Sequence, residues 1–495
     1  MKNENPIVRS VNPTVEYNTI LDIDSYKELH GAMLPGGVVN LSASIIPRKP
    51  NAHATHVVAM GHQYYIRRYL QRAITQEMID EAAIEIDEQG YEFNRARWNY
   101  ILNRYKGKLP LEVRAVPEGT VLPVGVPSVV IETTDKKCAW LVGRIETAIQ
   151  RNEWKFSTVA SISRAVKTYL QDVMEDMEGY RDVPFHLHNF GDRGADAYEA
   201  AIIAGMAHLT QFSGTDCLSA NKHIKWLYNT NKPYGSSVIA TEHSVMCAWS
   251  DPEARDDYKA AVMAVDLLEK AVERFENTGK GVPIVSVVID TYDAYRFTRD
   301  YIGGYLKDRI VALGARGGRL VCRPDSGDAT TMPIEIIEIL MDKFGYETNE
   351  KGFRNLPSYI GVIQGDGINQ TSLRTIVDNL YKSKMSLQNL VFGMGSGLVH
   401  DAGRDEFSFA MKATARQMED GTWVDMFKDP ITDHKKKSLK GRCTTFKCNA
   451  TGKIFADRIG SQSDNSSVVD MMEIVYRDGN ILVEYDFDQV REASK

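Results

Sequence analysis

The sequence predicts an α/β protein whose chemistry is carried by a parallel sheet or barrel that begins near residue 183. Three observations predict it. Four short apolar runs each end in a loop of aspartate, glycine or arginine, and amphipathic stretches separate these runs. The unit repeats about every 30–40 residues, the rhythm of strand, polar loop and helix in parallel sheets and barrels.

The elements follow in order. Residues 60–72 (MGHQYYIRRYLQR) and 76–89 return apolar side chains every three or four positions and read as helices. Residues 111–134 are rich in valine, are broken by Pro-Glu-Gly and Val-Gly-Val-Pro turns, and read as short strands. Helix returns over 140–149 and 157–173. His186 and His188 alternate on the strand-like run 184–190 and so share one side. Strand 284–289 then runs into Asp290-Thr291-Tyr292-Asp293, and 320–322 into Arg323-Pro324-Asp325-Ser326-Gly327-Asp328. Strand 359–363 runs into Gln364-Gly365-Asp366-Gly367, and 390–392 into Gly393-Met394-Gly395-Ser396-Gly397. Between them, segments 333–344 and 371–384 are amphipathic, with Leu373, Ile376, Val377 and Leu380 on one face.

The chain has 495 residues, a length that predicts two or three domains because single cores stop growing at about 250–300 residues. Lys+Arg 59 against Asp+Glu 66 leaves a net charge of −7, which gives no footprint for nucleic acid. Six scattered cysteines without a C-x-x-C pair suit neither a disulfide framework nor structural zinc. The first residues hold no apolar stretch of signal-peptide length and no run of about 18 apolar residues occurs, so the expected setting is cytoplasmic and reducing, with no membrane partner.

Loops at the carboxyl ends of parallel strands meet at one rim, so the four polar loops are expected to converge on one site. The glycines of 393–397 look like an anion cradle, since backbone amides can approach phosphate oxygens where no Cβ intervenes. The string is neither a dinucleotide fingerprint nor a P-loop. Arg323 can hold a phosphate or lie on a flat ring. Asp290, Asp293, Asp325, Asp328 and Asp366 supply hard oxygen ligands suited to Mg2+, and the mixture suggests a sugar phosphate or diphosphate with magnesium. His186 with His188, and His53 with His56, lack a third zinc ligand at recognisable spacing. His243, within Ala240-Thr241-Glu242-His243-Ser244, is by its residues alone one polar histidine among eleven.

These strings occur together in a known order. Asp24-Ser25-Tyr26-Lys27, Asn189-Phe190-Gly191-Asp192-Arg193-Gly194, Gly214-Thr215-Asp216, Thr241-Glu242-His243-Ser244, residues 286–293, Arg323-Pro324-Asp325-Ser326-Gly327, Ile363-Gln364-Gly365-Asp366-Gly367 and Phe427-Lys428-Asp429-Pro430 resemble the nicotinamide phosphoribosyltransferases, of the type II phosphoribosyltransferase fold. The resemblance runs from about residue 20 to about residue 490. It implies an irregular α/β barrel over 183–399, with a second α+β domain built from both chain ends, 1–182 and 400–495. It implies a homodimer with sites at the interface, and transfer of phosphoribose from phosphoribosyl pyrophosphate to nicotinamide. Mg2+ and ATP are implied as cofactor and co-substrate.

Residue by residue, the resemblance places Phe190 on one face of the nicotinamide ring and Tyr26 of the other subunit on the opposite face. Arg323 lies against the ring, and Asp216 accepts from its carboxamide. Arg193, Ser237 and Ser286 join the substrate-binding set. Asp325 holds ribose hydroxyls beside Gly365 and Asp366, while Gly395, Ser396 and Gly397 cradle the 5′-phosphate. Arg404 and Lys412 reach phosphates across the dimer. His243 is the histidine phosphorylated by ATP, oriented by Glu242 and Asp290. Ser396, Asn189 and Asp192 depart from the animal pattern, Arg48 is a candidate phosphate ligand, and the cluster Lys435, Lys436, Lys437, Lys440 and Arg442 resembles a stretch near the phosphate channel. The rival readings are a nicotinate phosphoribosyltransferase, against which Asp216 speaks, and a non-catalytic binding protein of the same fold. A sugar-phosphate aldolase would need a Schiff-base lysine at a strand end, and none of the four loops supplies one.

Overall fold

In the computed structural model, which describes residues 17–432 and 437–495, strands from both ends of the chain share one antiparallel sheet. Its order is Trp423–Asp425, Ala410–Met418, Val38–Ile46, Val129–Thr133, Leu111–Ala115, Glu473–Arg477 and Asn480–Ile481. Leu111, Val113 and Ala115 are fully buried while Glu112 and Arg114 face the other way, the two-residue alternation of a strand with one covered face. A three-stranded sheet of Ile454–Arg458, Cys443–Cys448 and Val468–Asp470 lies in the same unit. Ile454 and Ala456 pack against a core of Ala59, Val116, Leu122, Val126, Val130 and Met472. Helices Gln76–Glu88 and Arg95–Tyr105 start at Thr75 and Asn94, whose side chains accept from backbone amides of the first turn. This is the expected α+β domain drawn from both chain ends.

The chain divides into two units. One takes Met1–Lys49 (described from Tyr17), Ala59–Trp154 and Phe407–Tyr485; the other takes Pro50–Val58, Lys155–Glu406 and Asp486–Lys495. The sequence reading put the break at residues 182/183, whereas this division falls inside the 33-residue helix Glu146–Glu178. Residues 150–156 contain neither glycine nor proline, so nothing interrupts the helix where two were expected. The last ten residues join the second unit because Phe487 packs edge-on against Tyr228 and Tyr234, and Asp488 pairs with Lys232. Of the basic cluster, Lys435 and Lys436 lie outside the described residues. Lys437 pairs with Asp429, Lys440 with Asp425, and Arg442 grips Glu132 through two hydrogen bonds. Among the described residues no helix is long and apolar enough to cross a membrane.

The second unit holds a parallel sheet of seven strands: β1 (Leu187–Asn189), β2 (Gly214–Thr215), β3 (Ile239–Ala240), β4 (Ile284–Val288), β5 (Arg319–Arg323), β6 (Ile360–Gln364) and β7 (Leu390–Met394). The order is β2-β1-β7-β6-β5-β4-β3, and every neighbouring pair is parallel. Just before β3, Ser236 bridges Gly214 of β2: its carbonyl accepts from Thr215 N at 3.0 Å and its amide donates to Ser213 O at 2.9 Å. Those two bonds close the sheet into the expected barrel. Amphipathic helices cover it, including Gln370–Lys382, whose Leu373, Ile376, Val377 and Leu380 are all buried.

The first unit also buries three titratable groups together. His62 Nδ1 lies 3.5 Å from Glu118 Oε1 and 3.6 Å from Glu153 Oε2, and none of the three side chains exceeds 1 % exposure. Glu118 also accepts from the amides of Gly61 and Gln63. Burial disfavours the charged imidazole, but the two carboxylates outweigh it and hold the His62 pKa above its ordinary value. Burial likewise raises that of Glu153, against the pull of His62. The folded state thus keeps protons that the unfolded chain gives up. The stability the His62 proton contributes is present below about pH 6.5, the unfolded histidine value, and is lost as pH rises through the raised folded pKa. The thermal unfolding midpoint is expected to fall as pH rises from about 6.5 through the raised His62 pKa, and the double variant His62→Gln/Glu153→Gln to lack that decline in calorimetry.

Candidate functional site

Side chains on the inward face of the barrel strands enclose a cavity of about 240 Å³. That is at the small end for a ligand site, with room for a single ring and not for a dinucleotide. Arg319, Val321 and Arg323 alternate along β5, so all three line it. Ile284 and Ser286 do the same from β4, with Ile363 from β6 and Val391 from β7. At the carboxyl ends of β1, β2 and β5, Phe190, Asp216 and Arg323 line the cavity together, joined by Ser237 from just before β3. Residues drawn from four separate loops and strands of the sequence reading therefore share one space.

Phe190 follows β1, and its amide donates to Met394 O of β7 at 2.9 Å. Its ring rests on two glycines. A Cβ on Gly393 would lie 2.1 Å from Phe190 Cε2, and one on Gly365 would lie 3.1 Å from it. Glycine at 393 is therefore a steric requirement for the ring's position. His188, buried two residues earlier, has its ring centroid 6.1 Å from that of Phe190. Burial pushes its imidazole below the ordinary value, against the pull of Asp216. Asp216 follows β2, its amide bonded to Asn189 O at 3.0 Å, and its Oδ1 accepts from the hydroxyl of Ser237. A carboxylate held in this way at the cavity rim is an acceptor waiting for an N–H donor.

At the same strand ends, His243 opens the helix His243–Trp249. Its Nε2 lies 2.9 Å from Asp290 Oδ1, and its Nδ1 lies 3.6 Å from Asp325 Oδ2. Asp290 is 5 % exposed, and its second oxygen accepts from Asp325 N at 3.0 Å and from the Ser326 hydroxyl. One imidazole nitrogen is thus fixed by a braced carboxylate while the other lies beside Asp325, so the ring is oriented between two carboxylates. Glu242, expected to help orient the ring, instead accepts from the Ser244 hydroxyl, so the ring's carboxylate neighbours are Asp290 and Asp325. Asp325, expected at ribose hydroxyls, stands beside His243. Arg323 Nη2 donates to Thr241 O at 2.8 Å, which ties the base of this loop to β5.

The remaining expected residues fall as follows. Gly395, Ser396 and Gly397 open the short helix Ser396–Val399 directly after β7, with Ser396 exposed. Arg193 is exposed on the turn Asp192–Gly194, and Asp366 is exposed after β6. Arg404 is exposed and its guanidinium lies against Asp405. Asn189 is buried; its Oδ1 accepts from Gly191 N at 2.8 Å. Tyr26 and Lys412 belong to the first unit, where Tyr26 is exposed on the turn Ser25–Leu29 and Lys412 is exposed on Ala410–Met418. Arg48, also in that unit, donates to Ser408 O.

The sequence reading missed Arg319 as a cavity residue and considered His188 only for zinc. Arg319 stands four residues before Arg323, about 13 Å away along β5 at strand rise. Arg319 is half-buried, and that burial lowers its pKa. The signal was the alternation Arg319-Leu320-Val321-Cys322-Arg323, lost when the strand was begun at Leu320.

A family model described as the nicotinate phosphoribosyltransferase (NAPRTase) family matches residues 185–479. A second, the nicotinamide phosphoribosyltransferase N-terminal domain, matches residues 18–113. The chain is 35% identical over 481 residues to a nicotinamide phosphoribosyltransferase of Xanthomonas campestris pv. campestris, covering 96% of this chain and 97% of that one. It is 29% identical to one from Acinetobacter baylyi, with 96% of each covered. Among solved structures, the nicotinate-nucleotide pyrophosphorylase of Pyrococcus furiosus aligns with TM-score 0.58 at 14% identity, over 98% of this chain and 97% of that one. Human nicotinic acid phosphoribosyltransferase aligns with TM-score 0.52 at 14% identity, over 95% and 92%.

Proposed function

The chain belongs to the nicotinate phosphoribosyltransferase family and is a phosphoribosyltransferase, and from that premise we propose that its acceptor is nicotinamide, its donor phosphoribosyl pyrophosphate and its product nicotinamide mononucleotide, in NAD salvage. The observation that carries this reading is Asp216, an acceptor held by Ser237 at the rim of a one-ring cavity beside Phe190. A carboxamide donates N–H to such a group, whereas a nicotinate carboxylate would face it with like charge.

The transfer follows from the placement. Phe190 supplies a flat apolar surface for the pyridine, and Arg323 an edge contact. The C1′–O bond breaks, its electron pair leaves with pyrophosphate, and the ring nitrogen's lone pair forms the C1′–N bond. Positioning and charge neutralisation supply most of the rate. Gly395, Ser396 and Gly397 would take the 5′-phosphate through backbone amides, with the Ser396 hydroxyl as one more donor. Among the described residues no group of three or more His, Cys, Asp or Glu could hold a metal by itself, which leaves one or two carboxylates plus substrate phosphates, the ordinary arrangement of Mg2+. Asp325 and Asp366 would hold it, and it would neutralise charge on the departing pyrophosphate.

His243 would attack the γ-phosphorus of ATP through Nδ1, with ADP as leaving group and Asp290 fixing the other nitrogen. Assembly as a homodimer, with Tyr26, Arg404 and Lys412 contributed to a neighbour's site, completes the proposal. The test is pyrophosphate release by purified protein with nicotinamide or nicotinate, each with and without ATP. Turnover of nicotinamide that ATP stimulates is expected, and turnover confined to nicotinate would overturn the acceptor assignment. Replacing Gly393 by alanine should displace the Phe190 ring and raise the KM for nicotinamide about tenfold, the size of one lost aromatic contact. Steady-state kinetics with nicotinamide varied checks it.

A further inference from the structure

We propose that Lys155 is a positioning residue for phosphoribosyl pyrophosphate, holding in place the chain segment 395–404 that carries the phosphate cradle. The inference rests on the reaction proposed above. Lys155 projects from the helix Glu146–Glu178 and its side chain is buried. Its Nζ donates to the carbonyl of Val399, the last residue of the helix Ser396–Val399, and to that of Ala402 at 3.3 Å. Carbonyls at a helix carboxyl end lack partners within the helix and carry its negative pole, so an ammonium suits them.

An ammonium is costly to bury, and a methionine would fill similar space without that cost. What the lysine adds is direction. Two carbonyls three residues apart are drawn to one point, which fixes the turn that follows the cradle. Burial lowers the Lys155 pKa, against the pull of Asp196 and Asp401.

The same segment is held by a second side-chain contact as well. His400 Nδ1 lies 2.8 Å from Asp196 Oδ1 in the loop that follows Phe190. That loop fits against the segment without clearance: a Cβ on Gly191 would meet the Val399 methyls at 2.6 Å, and one on Gly194 would meet Ser396 Oγ at 2.8 Å. A displacement of Val399 is therefore passed to Ser396 and to the Phe190 loop. Lys155 itself does not line the cavity.

The experiment compares wild type and Lys155→Met by calorimetric binding of phosphoribosyl pyrophosphate, steady-state kinetics and thermal unfolding. The variant is expected to bind the donor about tenfold more weakly and to raise its KM alike, with kcat changed less than about threefold. A lowered melting temperature with unchanged donor affinity and KM would overturn the proposal, since that is what a purely structural lysine gives. Should Lys155→Met fail to fold, Lys155→Gln, which keeps one donor, is expected to shift donor affinity in the same direction by less, and an unshifted affinity would overturn it equally. Wild-type protein that binds the donor yet converts no nicotinamide would refute the acceptor assignment and leave the Lys155 comparison readable.

Discussion

Asp216→Asn is expected to lower the preference for nicotinamide over nicotinate by up to several hundredfold. Two unit charges about 4 Å apart at an effective dielectric near 20 repel by about 4 kcal/mol, and each 1.4 kcal/mol is tenfold. The Ser237 hydroxyl holds the carboxylate at the rim, so it cannot swing away from a second anion without breaking that bond. Asparagine keeps the shape and an acceptor oxygen but removes the charge, and its amide can donate to a carboxylate. The readout is the ratio of kcat/KM for nicotinamide and nicotinate under identical donor concentration. A ratio equal to that of wild type would remove Asp216 from acceptor choice.

His243→Ala is expected to lower ATP hydrolysis by at least about a thousandfold and to abolish the stimulation of transfer by ATP, while some basal transfer persists. The asymmetry follows from the geometry. The imidazole sits beside Asp290 and Asp325, whereas the cavity wall is made by Phe190, Asp216, Ser286 and Arg323. Removing the imidazole leaves those groups in place. Rates of ADP formation and of nicotinamide mononucleotide formation, measured in the same mixtures, separate the two reactions. Complete loss of basal transfer would mean that the histidine does more than carry a phosphoryl group.

Much of this was legible in the chain because parallel strands advertise themselves twice, by an apolar run and by the polar residues at its end. Strands β4, β5, β6 and β7 were read in that way, and their loops do hold His243's partner Asp290, Arg323, Gly365 and the Gly395-Ser396-Gly397 turn. Strands β2 and β3 have two residues each, too few to show any periodicity, and they emerge from pairing with their neighbours. Arg319 was hidden for a different reason. A charged residue at the start of a strand reads as solvated, and its burial is visible once the barrel places it on the inward face. The role of Glu242 was misjudged because adjacency in sequence says nothing about direction: its carboxylate turns to Ser244 two residues on. Helix length along 146–178 was underestimated where apolar spacing becomes irregular, though no residue there stops a helix.

Barrel closure at Ser236 sets where the cavity wall is weakest. The seam there is sealed by two backbone hydrogen bonds between very short strands, whereas β4 and β5 pair along five residues. Ser236, Ser237 and Val238 on that seam also form one wall of the cavity. Breathing of the barrel is cheapest where its ladder is thinnest, so this wall of the cavity is the one whose parting disturbs the rest of the cylinder least.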